Sequence, residues 1–157
     1  SMQQIWDRVM NEISNILDIH PKVEGFQILN DNGIHLIDAY KYKWIPDTPS
    51  RRNNVLKILK NWNSASNSSP VEGLATALKK YSQNGLKTSI YIFGDDYSGS
   101  SYTEVFSVIN KLNSDNKSNV RINGIGFFSP GTTMRFPTLM RVIAENNRGT
   151  YIGLPFK

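Results

Sequence analysis

The sequence has no cysteine among its 157 residues. This absence excludes disulfide bridges, zinc–thiolate sites and thiol nucleophiles. Histidine is almost as scarce, since only His20 and His35 are present. Neither histidine has a serine or a carboxylate at the spacing of a hydrolytic triad, so that chemistry has no support in the sequence. We therefore expect a protein that is not an enzyme.

Long apolar runs are also absent. No run approaches the roughly 20 residues that a membrane-spanning helix needs, and no N-terminal stretch has the order of a signal peptide. A glycine-rich phosphate loop is missing as well, because GIGFFSPG at 124–131 has the glycines in the wrong order for a nucleotide fingerprint. We interpret those glycines as turn and packing glycines. A phosphate-transfer enzyme that uses Asp95 and Asp96 would need such a pattern beside those acids.

Positive charge exceeds negative charge, and the formal net charge is +5. A basic balance favours acidic partners, such as nucleic acid. The charges are scattered, however, and solvated helix faces are the simpler interpretation of the denser groups. Those groups are Arg51 and Arg52, Lys57 and Lys60, and Lys79 and Lys80. A basic domain associated with nucleic acid is kept as the alternative function.

The length and the composition are those of one folded domain. Hydrophobic residues make up 39% of the chain and charged residues 20%, and a chain of this size buries a core without a staple. We find no internal repeat, linker or low-complexity tract. The sequence therefore predicts a single domain over residues 1–157.

Five segments carry apolar residues at spacings of three and four, the pattern of an amphipathic helix. Pro21 follows the first segment and Pro70 begins the third, which suits a helix start. Thr48 or Ser50 is placed to cap the second segment. The predicted helices cover 5–17, 51–62, 70–82, 102–112 and 136–146.

Other segments have the pattern of strands. Two β-rich runs surround Asn32-Gly33, a strong hairpin signal. Two later runs are apolar almost throughout, which is typical of strands covered on both faces of a parallel sheet. The predicted strands cover 25–31, 33–40, 88–94, 120–128 and 149–154.

From residue 70 onward, helix and strand alternate strictly. Such alternation produces right-handed crossovers onto a mostly parallel sheet that has helices on both faces. The sequence therefore predicts an α/β fold of three layers, doubly wound, with one antiparallel edge strand.

Polar side chains follow the buried strands, at the sheet edge where ligands bind in open α/β folds. Asp95, Asp96 and Ser98 follow one strand, residues 129–133 follow the next, and the hydroxyl-rich loop 64–69 faces the same edge. Acid and hydroxyl oxygens are what Mg²⁺ prefers. In the competing interpretation, Ser68 or Ser69 caps the helix at Pro70 and Asp95 caps its own loop.

The order of these elements and their local strings resemble the von Willebrand factor type A family, in its bacterial form. TSIYIFGDD at 88–96 is similar to the family's fourth strand, which ends in an aspartate that Asp95 matches, although its neighbours depart from Thr-Asp-Gly. VRINGIGFF with LMRVIAENNRGTYIGL resembles the closing strand, helix and strand. SNSSPVEGLATAL resembles the loop and helix that carry the metal-site threonine, and Ser68 is the best match for that residue.

The resemblance implies a recognition module without catalysis, whose metal ion captures a carboxylate of a partner protein. It assigns Asp95 and Ser68 to a degenerate metal-ion-dependent adhesion site for Mg²⁺. Because tyrosine gives a large contact area at low entropic cost, we expect Tyr97 in the binding surface. The binding positions around the metal site would be Ser69, Asp96, Tyr97 and Ser98.

The family's first strand, with its Asp-x-Ser-x-Ser motif, is missing, so we expect an N-terminally incomplete domain. Three explanations are open: the strand lies upstream of Ser1, another chain supplies it, or Ser1 is the motif's last serine and a third metal ligand. Ser1-Met2 also fits an expression remnant. We expect the metal site to be weak or empty, and the edges of the strands at 25–31 and 88–94 to lack a neighbour.

Overall fold

The structure is a computed structural model that describes residues 2–63, 66–82, 85–99, 101–115 and 120–155. It confirms an α/β protein, with five α-helices, a two-stranded antiparallel sheet and a three-stranded parallel sheet in these ranges. No helix in them is both long and apolar enough to cross a membrane. The packing divides the chain into two compact units, Ser1–Asn30 with Ile34–Ala65 and Asp31–Gly33 with Ser66–Lys157.

The first unit contains two helices and a short sheet. Helix α2 begins at Pro49, two residues before its predicted start. Of the two predicted caps, Thr48 is the one used, because its hydroxyl accepts the Arg51 N–H at 3.1 Å and Pro49 occupies the first turn. Two short 3₁₀ helices, Met2–Ile5 and Asp38–Tyr40, complete the unit. The main elements are α1 (Trp6–Ile19), β1 (Gly25–Phe26), β2 (Ile45–Pro46) and α2 (Pro49–Lys60).

The predicted hairpin of two long strands is wrong. The chain does reverse at Asn32-Gly33, and Leu29 and His35 form an isolated antiparallel bridge. Strand β1 nevertheless pairs with β2, which the sequence had suggested to be loop. The physical reason lies in the Gln27 side chain, which donates to the carbonyls of Tyr40 and Lys43 at 2.9 Å each. The end of the predicted second strand, Asp38–Tyr40, is a 3₁₀ turn beside those bonds.

The side chain of Arg52 links three segments of the first unit. Its Nε and Nη2 donate to the two carboxylate oxygens of Asp47 at 2.7 and 2.8 Å. Its Nη1 donates to the carbonyl of Leu17 at 2.7 Å, and its Nη2 also donates to that of His20 at 2.6 Å. Arg52 therefore caps the end of α1, and it does not belong to the exposed basic group in which the sequence had placed it.

We predict that Arg52→Ala lowers the free energy of unfolding by about 3–5 kcal/mol, because it leaves a buried Asp47 carboxylate without its cation. Urea unfolding at pH 7 checks this value. The exposed neighbour provides the control, since Arg51→Ala should cost less than about 0.5 kcal/mol. Equal losses in both variants would contradict the assignment.

The Arg52–Asp47 ion pair also makes the stability of the protein depend on pH in the acid range. The hydrogen bond that Arg52 donates to Asp47 is the main reason why the pKa of Asp47 lies below its ordinary value of 3.8. The stabilisation is therefore complete above pH 3.8 and is lost as the pH falls through the lower pKa of the folded state.

The second unit has the alternating order that the sequence predicts. All three strands are parallel and lie in the order β3, β4, β5. The elements are α3 (Val71–Tyr81), β3 (Ser89–Gly94), α4 (Tyr102–Asp115), β4 (Arg121–Phe128), α5 (Arg135–Asn146) and β5 (Tyr151–Pro155).

Strand β4 is the centre of this sheet, and six consecutive residues in it are buried. Helix α5 approaches β4 very closely, because a Cβ added to Gly124 would lie 3.1 Å from the Cβ of Met140. Gly126 is in a similar position against Tyr151, whereas Gly131 occupies a turn at φ +91°. The glycines of GIGFFSPG are thus packing and turn glycines, as expected.

Strand β3 lies at one edge of the parallel sheet. Within the described ranges, its outer edge is paired with no other strand, and β1 is paired only with β2. The side chains of Ile90 and Ile92 pack against the core, yet they stay half-buried. A strand with the composition of a sheet interior therefore lies at a sheet edge.

Two buried asparagines join the ends of α4 and α5 to the start of β4. Asn113 donates to the carbonyl of Val120 at 2.8 Å and to the amide oxygen of Asn147 at 2.7 Å. Asn147 in turn donates to the Ile143 carbonyl at 2.7 Å and to Asn110 at 3.2 Å. The buried amides thus provide hydrogen-bond partners for one another, and they fix the ends of α4 and α5 to the start of β4.

We predict that Asn147→Ala destabilises the second unit by about 3 kcal/mol, because several buried polar groups lose their partner at once. Asn146 is the adjacent, exposed residue, so Asn146→Ala should change the free energy of unfolding by less than about 0.5 kcal/mol. Chemical denaturation of both variants makes the comparison. Similar stabilities would show that the network contributes little.

Candidate functional site

Three loops of the second unit are joined at the carboxyl ends of the strands, and we call residues 66–70, 95–99 and 129–133 the rim. Ser98 forms the first connection, because its N–H donates to the Ser68 carbonyl at 2.9 Å and its hydroxyl to the Asn67 carbonyl at 2.6 Å. The loop after β3 is thereby fixed to the loop before α3.

Asp96 forms the second connection. One carboxylate oxygen accepts the N–H of Thr133 at 3.2 Å, and the other accepts the hydroxyl of Thr133 and the N–H of Tyr97. Burial acts to raise the pKa of Asp96, but these hydrogen bonds and the charge of Arg135 hold it below its ordinary value. Asp96 is therefore an ionised structural carboxylate that ties the loop after β4 to the loop after β3.

Asp95 differs from Asp96 in its hydrogen bonding. Its side chain is buried, with 8% of the residue exposed. Within the described part of the chain, the carboxylate accepts no hydrogen bond and has no cation within ion-pair distance. A carboxylate at the strand ends that no protein group satisfies is a candidate ligand for an added group.

Ser68 occupies a left-handed backbone conformation, with φ at +55°. Its N–H donates to the Ser66 hydroxyl at 3.1 Å, whereas its own hydroxyl makes no hydrogen bond in the described ranges. Ser69, not Ser68, bonds to the start of helix α3, because the Ser69 hydroxyl accepts the Val71 N–H at 3.5 Å. Ser68 therefore does not cap α3, and its exposed hydroxyl is available to a ligand.

Asp31 holds the loop that carries Ser68, a role that was not predicted from the sequence. Its carboxylate accepts the Ser66 hydroxyl at 2.6 Å and the Asn67 N–H at 3.2 Å, and its carbonyl accepts the Gly73 N–H at 2.8 Å. Asp31 had been assigned to a strand. Its place in the run Asn-Asp-Asn-Gly, which is rich in turn formers, was the available signal.

The expectation that Tyr97 presents a contact surface needs correction. Only 3% of Tyr97 is exposed, because the ring turns into the core of the unit. It stacks on Tyr102 with ring centres 5.9 Å apart, and the Arg135 guanidinium lies 5.3 Å from its centre. Met134, which directly follows the rim beside Thr133, is an exposed apolar side chain, at 58%.

The remaining predicted positions are distributed as follows. Ser1 lies outside the described residues. Residues 129–133 form a turn in which Thr132 bonds back to the Ser129 carbonyl at 2.9 Å. No group of three or more histidine or acidic side chains that could hold a metal ion occurs in the ranges described. A cation at the rim would thus depend on Asp95, on hydroxyls and on water.

In comparisons with known proteins, no family model, curated protein or solved structure matches the chain.

Proposed function

We propose that this protein is a non-catalytic module that binds another protein through the rim, with a divalent cation held at Asp95 and Ser68. The observation that carries the proposal is the Asp95 carboxylate at the end of β3, which has no partner in the described residues although both oxygens of Asp96 beside it accept hydrogen bonds. A carboxylate that no protein donor satisfies is open to an added ligand.

The chemistry of the two side chains favours Mg²⁺ or Mn²⁺. A carboxylate and a hydroxyl are hard oxygen ligands, and Mg²⁺ bound by few protein groups retains several waters. A carboxylate from a partner protein could replace one of those waters. Because Asp95 would supply the single protein charge, we expect weak binding of the cation alone and tighter binding once the partner's carboxylate is present.

The proposed fold is that of the von Willebrand factor type A family, doubly wound. In this assignment β3, β4 and β5 are the family's last three strands, and the family's central strand would pair with the outer edge of β3. Support comes from the parallel order of the three strands and from the apolar character of β3 at an edge.

A catalytic role is not part of the proposal. General base catalysis at neutral pH needs a carboxylate whose pKa is raised toward the working pH. The pKa of Asp96 is lowered instead, and both of its oxygens accept hydrogen bonds. The position of this carboxylate suits it to holding the rim in shape.

We predict that Asp95→Asn abolishes the stabilisation of the protein by metal. With MgCl₂ or MnCl₂ at about ten times the dissociation constant, the wild type should gain about 1.4 kcal/mol and the variant nothing. Thermal unfolding with and without each metal measures the two responses.

Glu145→Gln is the matched control, since it removes an exposed acid of α5 outside the rim. This variant should respond to metal as the wild type does. An equal metal response of Asp95→Asn and the wild type would move the site elsewhere and defeat the proposal.

A nucleic-acid function would give a different pattern. Fluorescence anisotropy with a labelled oligonucleotide should then show binding that falls steeply between 50 and 200 mM salt. Such binding should be unaffected by Asp95→Asn and reduced when the exposed Lys57 and Lys60 are replaced. We expect no such binding at 200 mM salt.

A further inference from the structure

His35 is a buried histidine of the first unit, and the rim does not involve it. Only 4% of the residue is exposed. Its Nε2 accepts the backbone N–H of Tyr42 at 3.4 Å, and the two rings meet edge to face with centres 5.3 Å apart. Because Nε2 is the acceptor, the proton of the neutral ring is on Nδ1.

The turn that this bond holds is strained. Tyr42 has φ at +60°, in the left-handed region that bulky residues seldom adopt. Its side chain is 51% exposed, so burial of the ring does not explain that conformation. On either side of Tyr42, Gln27 holds the carbonyls of Tyr40 and Lys43. Residues 40–43 therefore form a turn that two side chains, Gln27 and His35, keep in an unfavourable backbone conformation.

The surroundings of His35 disfavour a positive charge. Burial lowers the pKa of His35 most, the charge of Lys41 lowers it further, and Asp38 acts in the opposite direction. Leu29, across the bridge, and its neighbours Ile28 and Asn30 carry no charge. The imidazole is therefore neutral at pH 7, with its Nε2 lone pair available to Tyr42.

We infer that the turn of residues 40–43 is a pH-sensitive switch, closed by the neutral imidazole of His35 and released when that ring takes up a proton. The release would change how the protein presents Tyr42 and the two exposed lysines that flank it, Lys41 and Lys43. This inference concerns the first unit and does not depend on the function proposed for the rim.

The mechanism follows from the chemistry of the ring. A proton taken up from solvent binds Nε2, which then becomes a donor facing the N–H donor of Tyr42. The hydrogen bond is lost, a buried charge lies near Lys41, and Tyr42 relaxes from the left-handed region. Because the folded-state pKa lies below 6.5, the closed turn is fully stabilised above pH 6.5 and loses that stabilisation as the pH falls toward the folded-state value.

An NMR titration from pH 7.5 to 4.5 tests the inference. The ring protons of His35 and the backbone amide of Tyr42 should shift with one common midpoint below 6.5. After correction for intrinsic exchange, protection of the Tyr42 amide should fall about tenfold per pH unit between 6.5 and that midpoint. A Tyr42 amide that does not follow the protonation of His35 would overturn the inference.

The two histidines provide matched variants. His35→Gln offers an amide oxygen that can accept the Tyr42 N–H but takes up no proton, so the response to pH should disappear. His20→Gln removes the other histidine and should leave the response unchanged. A response that persists in His35→Gln contradicts the inference, and if that variant does not fold, the titration of the wild type decides.

Discussion

Parallel pairing of β3, β4 and β5 is the constraint on which the second unit depends. Parallel neighbours cannot be joined by a tight turn, so the chain must return through a helix after each strand. The returns place α4 and α5 in the crossovers and bring all three carboxyl ends to one edge. Asp96 and Thr133 are 37 positions apart in the chain, and they are bonded because each follows one of two paired strands.

Two adjacent aspartates show how surroundings divide roles between identical side chains. Asp96 has hydrogen-bond donors on both oxygens and fixes the shape of the rim. Asp95, one position earlier, is buried without a bond in the described residues. Preorganised sites generally have this division, in which one group contacts the ligand and its neighbour holds the scaffold.

The sequence predicts the second unit well because its patterns are strong. Long helical stripes identify all the helices to within a few residues, and the apolar runs at 88–94 and 120–128 correspond to β3 and β4. The strand prediction failed in the first unit, where hydrogen bonds from side chains take the place of pairing between strands. The bonds from Gln27 to Tyr40 and Lys43 convert a predicted strand into a turn, and no local pattern reveals such distant contacts.

The place of the rim residues in the fold was predicted from the sequence, but their contacts were not. The strand-end rule located Asp95, Asp96, Ser68 and Ser98, because it needs only the order of strands and helices. It could not indicate that Tyr97 turns inward or that Asp31 holds the loop before α3. Both depend on packing between segments that are far apart in the chain, and Arg52 was misjudged for the same reason.

The outer edge of β3 has a consequence for handling the protein. Six residues without a charge, SIYIFG, form a strand whose backbone can template another chain, which is the usual starting point of edge-to-edge aggregation. Strand β5, at the opposite edge, ends in Pro155, which cannot continue a ladder. Aggregation through the edge of β3 would rise steeply with protein concentration. The substitution Ser89→Lys would place a charge on this edge and oppose pairing with another chain, without entering the core.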